Sequence, residues 1–139
     1  IKLDRVNYSA APYPCDYGFA PQTLWDDGDA LDVVVLTTNP IPPGILVAVR
    51  PVGLMKMTDG GESDDKIIAV PTEDVRFDHV SNLEDIDIHT LKELQHFFEQ
   101  GKRLKKKPVE TTVHGFFGRA DAIKAVKRAI ETYKKKFAK

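Results

Sequence analysis

Six residues, Asp27-Gly28-Asp29-Ala30-Leu31-Asp32, place three carboxylates directly before the apolar run Val33-Val34-Val35-Leu36. This feature limits the fold strongly, because the chain must carry like charges to the edge of a core. Asp32 has apolar neighbours on both sides, and a buried carboxylate must be paired, hydrogen-bonded, protonated or bound to a metal ion. No Lys or Arg occurs between Arg5 and Arg50. We therefore expect a divalent cation as the partner of Asp32.

A second acidic cluster, Asp59-Gly60-Gly61-Glu62-Ser63-Asp64-Asp65, is predicted to form the tip of a hairpin and is followed by Lys66. In a small barrel, two such turns can meet at one rim. Hard oxygen ligands favour Mg²⁺, with Mn²⁺ as a substitute, over Zn²⁺. An EF-hand Ca²⁺ loop is excluded, because no Glu follows Asp27 at the required distance. The alternative reading is a pair of acidic turns that bind no metal.

The first half of the chain has the pattern of short β-strands separated by turns. The apolar runs predict strands at residues 30–36, 45–49, 52–57 and 67–70. Short strands of this kind favour a small barrel. We predict the α+β class, with a small closed or nearly closed antiparallel β-barrel, similar to an OB-fold, flanked by two C-terminal helices.

The remainder of the chain is predicted to be loop and helix. Asp87 is a suitable N-cap for a helix over residues 88–100, and Gly101 fits the left-handed position that ends such a helix. A last helix is predicted over residues 121–137. Its apolar face consists of side chains spaced by three and four residues: Ile123, Val126, Ile130, Tyr133 and Phe137.

Length and composition predict a single domain over residues 1–139. The lone cysteine, Cys15, excludes an internal disulfide and fits a reducing cytoplasm, and no apolar run approaches the length of a membrane span. Residues 1–100 hold 18 acidic and 7 basic side chains, whereas residues 101–139 hold 3 and 13. We interpret the basic residues of segment 101–139 first as a solvated helix face and alternatively as a surface that binds an anion.

Several ordered motifs carry a resemblance to a known family. They are Asp4-Arg5, Tyr13-Pro14-Cys15-Asp16-Tyr17-Gly18-Phe19, the 27–32 motif, Arg50-Pro51-Val52-Gly53, Met57-Thr58-Asp59, Asp64-Asp65-Lys66, Ala69-Val70-Pro71, Asp78-His79 and His96-Phe97-Phe98-Glu99. With these motifs the chain resembles the soluble inorganic pyrophosphatases of the Mg²⁺-dependent, barrel-fold family, of the bacterial type. The resemblance extends to about Lys102 and weakens after it.

The resemblance implies a role for each matching residue. Asp27, Asp32 and Asp64 would hold the tightest metal ion, with Asp32 shared by a second ion. Asp59 would act with Asp64 on a metal ion that arrives with the substrate, and Asp29 would orient and deprotonate the attacking water. The remaining matches would contact the substrate or support the site: Arg5, Tyr17, Lys66 and Lys102 at phosphate oxygens, and Tyr13 in the lining.

The activity implied is hydrolysis of inorganic pyrophosphate to two phosphates by direct in-line attack of metal-activated water. Bound cations make the local charge at a cluster of carboxylates positive, so that a polyanion can bind there. The resemblance also implies a cytoplasmic enzyme of phosphate metabolism that forms a homo-oligomer, as the hexamers among bacterial relatives do. Membrane and nucleic-acid partners are not expected, and His96 is a candidate for a subunit contact.

The sequence departs from the family pattern at three places. Family members carry a further N-terminal segment with site residues, and because this chain begins at Ile1 we expect a fragment, a processed form or the ordered part of a longer protein. Gly101 stands where the family has a phosphate-contacting Tyr, and Ala30 replaces the Pro of the family signature. Two alternatives therefore stay open: a catalytically impaired pyrophosphatase fragment, and a non-enzymatic barrel module that binds nucleic acid or protein through its basic C-terminal half.

Overall fold

The structure, a computed structural model, describes residues 1–137, so the last two residues of the predicted domain lie outside it. Residues 1–137 form a mixed α+β fold with one six-stranded sheet and two helices. The strands are β1 (Asp16–Phe19), β2 (Asp32–Val35), β3 (Val49–Asp59), β4 (Glu62–Ser63), β5 (Lys66–Pro71) and β6 (Thr111–Gly118). The helices are α1 (Ile88–Gln100) and α2 (Arg119–Phe137), and two short 3₁₀ turns lie at Val75–Phe77 and Leu83–Asp85.

The strand order is β1-β2-β5-β3-β4, and β6 pairs with β3. The expectation of an antiparallel sheet is wrong at one pair, because β2 and β5 run parallel, with Asp32 opposite Lys66. The parallel direction arises because the chain leaves β2, forms β3 and β4, and only then returns beside β2 as β5. Within residues 1–137, hydrogen bonds between strands leave the sheet open, so closure into a barrel is not confirmed.

Strand β3 is the longest strand and pairs with three others. It is irregular opposite β5 near Pro51 and Gly53, and a side chain at Gly53 would approach the Leu83 side chain to 2.9 Å. At its end, Gly60 and Gly61 both have positive φ, which suits the two-residue hairpin turn expected there. This turn directs the second acidic cluster back towards β5.

Three of the four predicted strands are present with shifted ends, and the prediction for residues 45–49 is wrong. Only Val49 joins a strand, and the Leu46 side chain is 86% exposed in a loop that follows Pro42 and Pro43. Strands β1 and β6 were not predicted. Thr111 and Val113 of β6 are buried while Thr112 and His114 are more exposed, an alternation that is visible in the sequence.

Both helices lie close to their predicted positions. The Asp87 side chain caps α1 by accepting a hydrogen bond from the His89 backbone at 2.7 Å. Gly101 has a φ of −60°, so its predicted left-handed conformation is wrong. Helix α2 packs on the sheet through three buried alanines, Ala122, Ala125 and Ala129. Of the larger side chains predicted for this face, four are half-buried and Phe137 is exposed. Small side chains allow the helix backbone to approach the strands closely.

The core forms one cluster on each face of the sheet. Trp25, Leu31, Val33, Leu54 and Ile67 pack with the α2 alanines. The other cluster is centred on β3, β5 and α1: Val34, Val52, Met55, Met57, Ile68, Val70, Val80, Ile86, Leu94 and Val113. In the part of the chain that the structure describes, neither helix is long and apolar enough to cross a membrane.

Candidate functional site

A cleft of about 790 Å³ lies at one end of the sheet, where the acidic turns meet the N-terminal segment and the end of α1. Every site residue that the sequence predicted lines this cleft: Arg5, Tyr13, Tyr17, Asp27, Asp29, Asp32, Asp59, Asp64, Lys66 and Lys102. These residues come from five separate parts of the chain. The fold therefore brings together what the sequence motifs only suggested.

The first acidic turn is built by local hydrogen bonds. Gly28 has a φ of +88°, a conformation that favours glycine, and it lets the chain reverse between Asp27 and Asp29. The Asp27 carboxylate accepts a hydrogen bond from the Asp29 backbone at 3.0 Å, as in an Asx turn. Asp29 remains exposed, whereas Asp27 is half-buried. The turn thus presents one carboxylate to solvent in the cleft and holds the other against the protein.

Asp32 is paired with a lysine from the neighbouring strand. The Lys66 ammonium group lies 2.8 Å from Asp32 Oδ2 and 2.8 Å from Asp64 Oδ1, and the Lys66 side chain is 2% exposed. The Tyr17 hydroxyl donates a further hydrogen bond to Asp32. Asp32 thus has a cationic partner, Lys66, in addition to the divalent cation that the sequence predicts. Lys66 lies 34 positions from Asp32 in the sequence, and it comes beside Asp32 because β2 and β5 pair in parallel, which the residues around Asp32 do not indicate.

Burial and neighbouring charges shift the pKa values of Asp64 and Lys66 in opposite directions. Burial raises the pKa of Asp64 to about 6, and Lys66 only partly offsets the effect. Burial lowers the pKa of Lys66, but Asp32 and Asp64 outweigh it, so its pKa ends above the ordinary value. Partial burial and the Asp32 charge raise the pKa of the Tyr17 hydroxyl. Lys66 and Tyr17 are therefore held in their protonated forms beside the carboxylates.

The second acidic turn is paired with the loop after α1. Lys102 forms an ion pair with Asp59, and the Thr111 hydroxyl donates to the same carboxylate at 3.3 Å. Arg5 Nε lies 2.6 Å from Asp4 Oδ2 on the exposed N-terminal segment, and this hydrogen bond raises the pKa of Arg5. The cationic side chains predicted to contact phosphate thus lie within the cleft, each beside a carboxylate.

The cleft carries an excess of negative charge. Seven carboxylates and four cationic side chains line it, and no His or Cys is among the described lining residues. An oxygen donor set of this kind fits a hard divalent cation such as Mg²⁺. Among residues 1–137, no three His, Cys, Asp or Glu side chains converge tightly enough to hold a metal ion as they stand, and Lys66 lies between two of the candidate ligands.

Phe97 and Phe98 also line the cleft, although the sequence did not single them out as site residues, and Phe98 packs against the core as well. Phe97 packs on Tyr13 with ring centroids 4.5 Å apart, and Phe98 packs on Tyr17 at 5.9 Å. The Lys66 ammonium group lies 5.3 Å from the Phe98 ring and 5.4 Å from the Tyr17 ring. The position of Phe97 and Phe98 at the end of an amphipathic helix, just before Lys102, was the available signal. Glu62, Lys105 and Thr111 are further lining residues that the sequence did not single out.

The chain is similar to known proteins over most of its length. The family model described as Inorganic pyrophosphatase matches residues 1–134. The inorganic pyrophosphatase of Haloferax volcanii is 48% identical over 139 residues, which is 99% of this chain and 77% of that protein. The inorganic pyrophosphatase of Geobacillus stearothermophilus is 46% identical over 133 residues, covering 96% of this chain and 79% of that protein. The crystal structure of inorganic pyrophosphatase from Thermus thermophilus matches with a TM-score of 0.92 and 46% identity over 96% of this chain and 77% of that chain.

Proposed function

The chain belongs to the inorganic pyrophosphatase family, and from that premise we propose that the acidic cleft is its active site. The enzyme hydrolyses inorganic pyrophosphate to two phosphates. The observation that carries the assignment of the site is the gathering of all the predicted side chains along one cleft. The alternative of a non-enzymatic module is not favoured, because the family match includes the basic C-terminal half.

Carboxylate oxygens from both acidic turns would hold the divalent cations: Asp27, Asp32, Asp59 and Asp64. When bound, Mg²⁺ offsets the negative charge of the cleft and lowers the pKa of water that it coordinates. The carboxylate excess supports this assignment, since pyrophosphate would otherwise meet seven negative side chains against four positive ones. Mn²⁺ is the expected substitute, because it takes similar ligands.

Asp29 is the proposed general base. Its carboxylate is exposed to the cleft and is unlike Asp32, Asp59 and Asp64 in lacking an ion pair among the described residues. A carboxylate that is free of a cationic partner can accept a proton from the attacking water. Attack is in line with the leaving phosphate and forms no covalent intermediate, so the stereochemistry at a chirally labelled phosphorus is expected to invert.

The cationic side chains bind and orient the phosphate groups. Lys66 pairs with Asp64 and Lys102 with Asp59 of the second acidic turn, and Arg5 lies on the N-terminal segment. These groups would stabilise charge on the transferring and leaving phosphates, where electrostatics supplies most of the catalysis. Tyr17 adds a hydroxyl that its raised pKa keeps protonated. Tyr13 supports the site by packing between Tyr17 and Phe97.

Assembly and location extend the same proposal. We propose a homo-oligomer, a hexamer as in bacterial relatives, with His96 on the exposed side of α1 as a candidate contact. The half-buried Cys15 has its pKa raised to about 12 by burial, which favours an unreactive structural thiol in a reducing cytoplasm. Sedimentation analysis tests the assembly, and a monomer would contradict it.

Phosphate release from pyrophosphate tests the function directly. The purified chain is expected to release two phosphates per pyrophosphate when Mg²⁺ is present and none in excess chelator. Methylene bisphosphonate, whose bridging carbon cannot be hydrolysed, should bind and inhibit without release. Absence of release with both Mg²⁺ and Mn²⁺ would contradict the function, whereas release without any divalent cation would contradict the role of the carboxylates.

A further inference from the structure

Trp25 links the first acidic turn to the core. The residue is 6% exposed and packs in the cluster beneath α2. Its backbone N–H donates to the Asp29 carbonyl at 2.8 Å, and its carbonyl accepts from the Gly28 N–H at 3.1 Å. These hydrogen bonds close the turn that carries Asp27 and Asp29. The position of the turn therefore depends on where the Trp25 ring is packed.

The same indole reaches the second acidic turn. Trp25 Nε1 lies 3.3 Å from the hydroxyl oxygen of Ser63, the residue directly before Asp64. One side chain therefore spans two turns that are separated by 38 positions in the sequence. The chain just before it is also fixed, because the Leu24 N–H donates to the Ala129 carbonyl of α2 at 3.0 Å.

Arg128 of α2 covers the outer side of this connection. Its guanidinium group lies 4.6 Å from the centroid of the Trp25 ring, and it forms an ion pair with Asp26, the residue that opens the first turn. A planar guanidinium can stack on an aromatic ring and pair with a carboxylate at the same time. Arg128 lies outside the cleft lining. Any effect of Arg128 on the reaction must therefore pass through the residues that it holds.

We propose that Trp25 and Arg128 are positioning residues that hold the two acidic turns at one separation and so set the spacing of Asp27 and Asp29 relative to Asp64. This inference rests on the proposed function of the cleft. Catalytic groups have to stay within a fraction of an ångström of their working positions, and remote changes that move them lower turnover strongly. Helix α2, which contributes no residue to the lining, thereby takes part in the reaction indirectly.

Kinetics of Arg128 variants provide the first test. Arg128→Gln is expected to lower kcat about tenfold while KM stays within about twofold, because the turn that carries the base shifts while the phosphate-binding side chains remain. Arg128→Lys keeps the charge but lacks the planar group that stacks on Trp25, so it should recover only part of the lost turnover. The matched control is Arg76→Gln, which removes another exposed arginine paired with a neighbouring carboxylate, that of Asp74. An Arg128→Gln variant with the kcat of the control, or an Arg128→Lys variant that recovers nothing, would overturn the proposal.

A double-mutant cycle tests the indole contact while an aromatic ring is kept in the core. Trp25→Phe and Ser63→Ala each remove the same hydrogen bond from opposite ends. If that bond couples the turns, the double variant should lose no more turnover than the stronger single variant. Fully additive losses would contradict the coupling. Urea unfolding of each variant separates loss of stability from loss of turnover.

Fluorescence gives a readout that does not depend on activity. Trp25 is the single tryptophan of the chain, so its emission reports on both turns. Addition of Mg²⁺ is expected to change this emission, and Arg128→Gln should raise the half-saturating concentration about fivefold, because the ligand spacing is less well fixed. If Arg128→Gln has the same half-saturating Mg²⁺ concentration as the wild type, the inference is contradicted. If the wild-type chain releases no phosphate, the proposed function fails, whereas wild-type turnover in Arg128→Gln makes this inference alone fail.

Discussion

Lys66→Met removes the charge that holds the centre of the cleft together. The lysine is 2% exposed, and its ammonium group lies 2.8 Å from an oxygen of Asp32 and from an oxygen of Asp64. Methionine keeps an unbranched side chain of similar length and has no charge. The substitution therefore leaves two carboxylates facing each other with little change in packing.

The size of the effect follows from the distances. The two carboxylate oxygens lie at most about 5.6 Å apart, twice the ion-pair distance, so at an effective dielectric constant of about 20 they repel by at least about 3 kcal/mol. Removal of one partner from a buried ion pair generally costs about 3–5 kcal/mol. The side chains of Asp32 and Asp64 are 25% and 15% exposed, so water weakens the repulsion. We expect a loss of about 2–4 kcal/mol, and 3 kcal/mol corresponds to about 10 °C in Tm for a chain of this size.

The loss should depend on pH in a defined direction. Asp64 has a folded-state pKa of about 6 against an ordinary value of 3.8, so its ionisation lowers the stability of the folded state as pH rises through that interval. Without Lys66 the folded-state pKa rises further, and the penalty at neutral pH grows. Near pH 5 the carboxyl is largely protonated in the variant and the repulsion disappears. The difference between variant and wild type should therefore shrink from about pH 7.5 to about pH 5.

Urea unfolding in excess chelator at both pH values measures this difference. Lys102→Met is the matched control, since it removes a lysine that is 36% exposed and that pairs, within residues 1–137, with the single carboxylate of Asp59. The control is expected to lose at most about 1 kcal/mol, as exposed ion pairs do. Addition of millimolar Mg²⁺ should restore part of the stability of Lys66→Met, because the cation binds only the folded form. A loss for Lys66→Met no larger than that of the control, or one equal at both pH values, would refute the reasoning.

Three further predictions concern the base, a 3₁₀ turn and the core. Asp29→Asn should lower kcat at least about tenfold, because an amide cannot accept the proton from water. Its dissociation constant for Mg²⁺, measured by calorimetry, should stay within about twofold of the wild-type value. Wild-type turnover in this variant would exclude Asp29 as the base. The backbone N–H groups of Ser81 and Asn82 hold the pKa of Asp85 below its usual value. The ionised carboxylate therefore stabilises the fold above its unfolded-state pKa, and this contribution is lost as pH falls. The urea midpoint of Asp85→Asn should fall less steeply from about pH 5 to about pH 2 than that of the wild type, and equal slopes would contradict a stabilising role of Asp85. Leu94→Ala leaves a cavity at a fully buried position of α1 and should lower the free energy of unfolding by about 2–5 kcal/mol, measured with urea. A decrease of less than about 1 kcal/mol would contradict this prediction.

Local signals predicted local structure well. Asp87 as an N-cap, the turn at Gly28 and the Gly60-Gly61 hairpin depend on a few neighbouring residues, and each is present. The failures occurred where the outcome depends on a distant partner. Residues 45–49 have the composition of a strand, yet only Val49 pairs with a strand, opposite Pro71, whereas the short β1 becomes a strand because Asp32–Val35 lies beside it.

The buried face of α2 shows that the choice of core side chains is also hard to predict from local sequence. Periodicity selected its branched and aromatic side chains, yet Ala122, Ala125 and Ala129 are the residues that are buried. Hydrophobic periodicity locates the apolar side of a helix, but the closest approach to a sheet is decided by the shape of the surface it meets. Trp25, which packs beside these alanines, occupies space that the sequence alone could not assign.

The sequence by itself determined the two acidic turns, both helices and an ordered set of motifs, and through them the family and its reaction, because these features reside in the identity and spacing of neighbouring residues. Only the tertiary structure decided that Lys66 pairs with both Asp32 and Asp64, that β2 and β5 run parallel, and that Trp25 joins the two turns. The physical reason is that charge pairing and strand pairing depend on distances through space, and the chain sets those distances only when distant segments pack together.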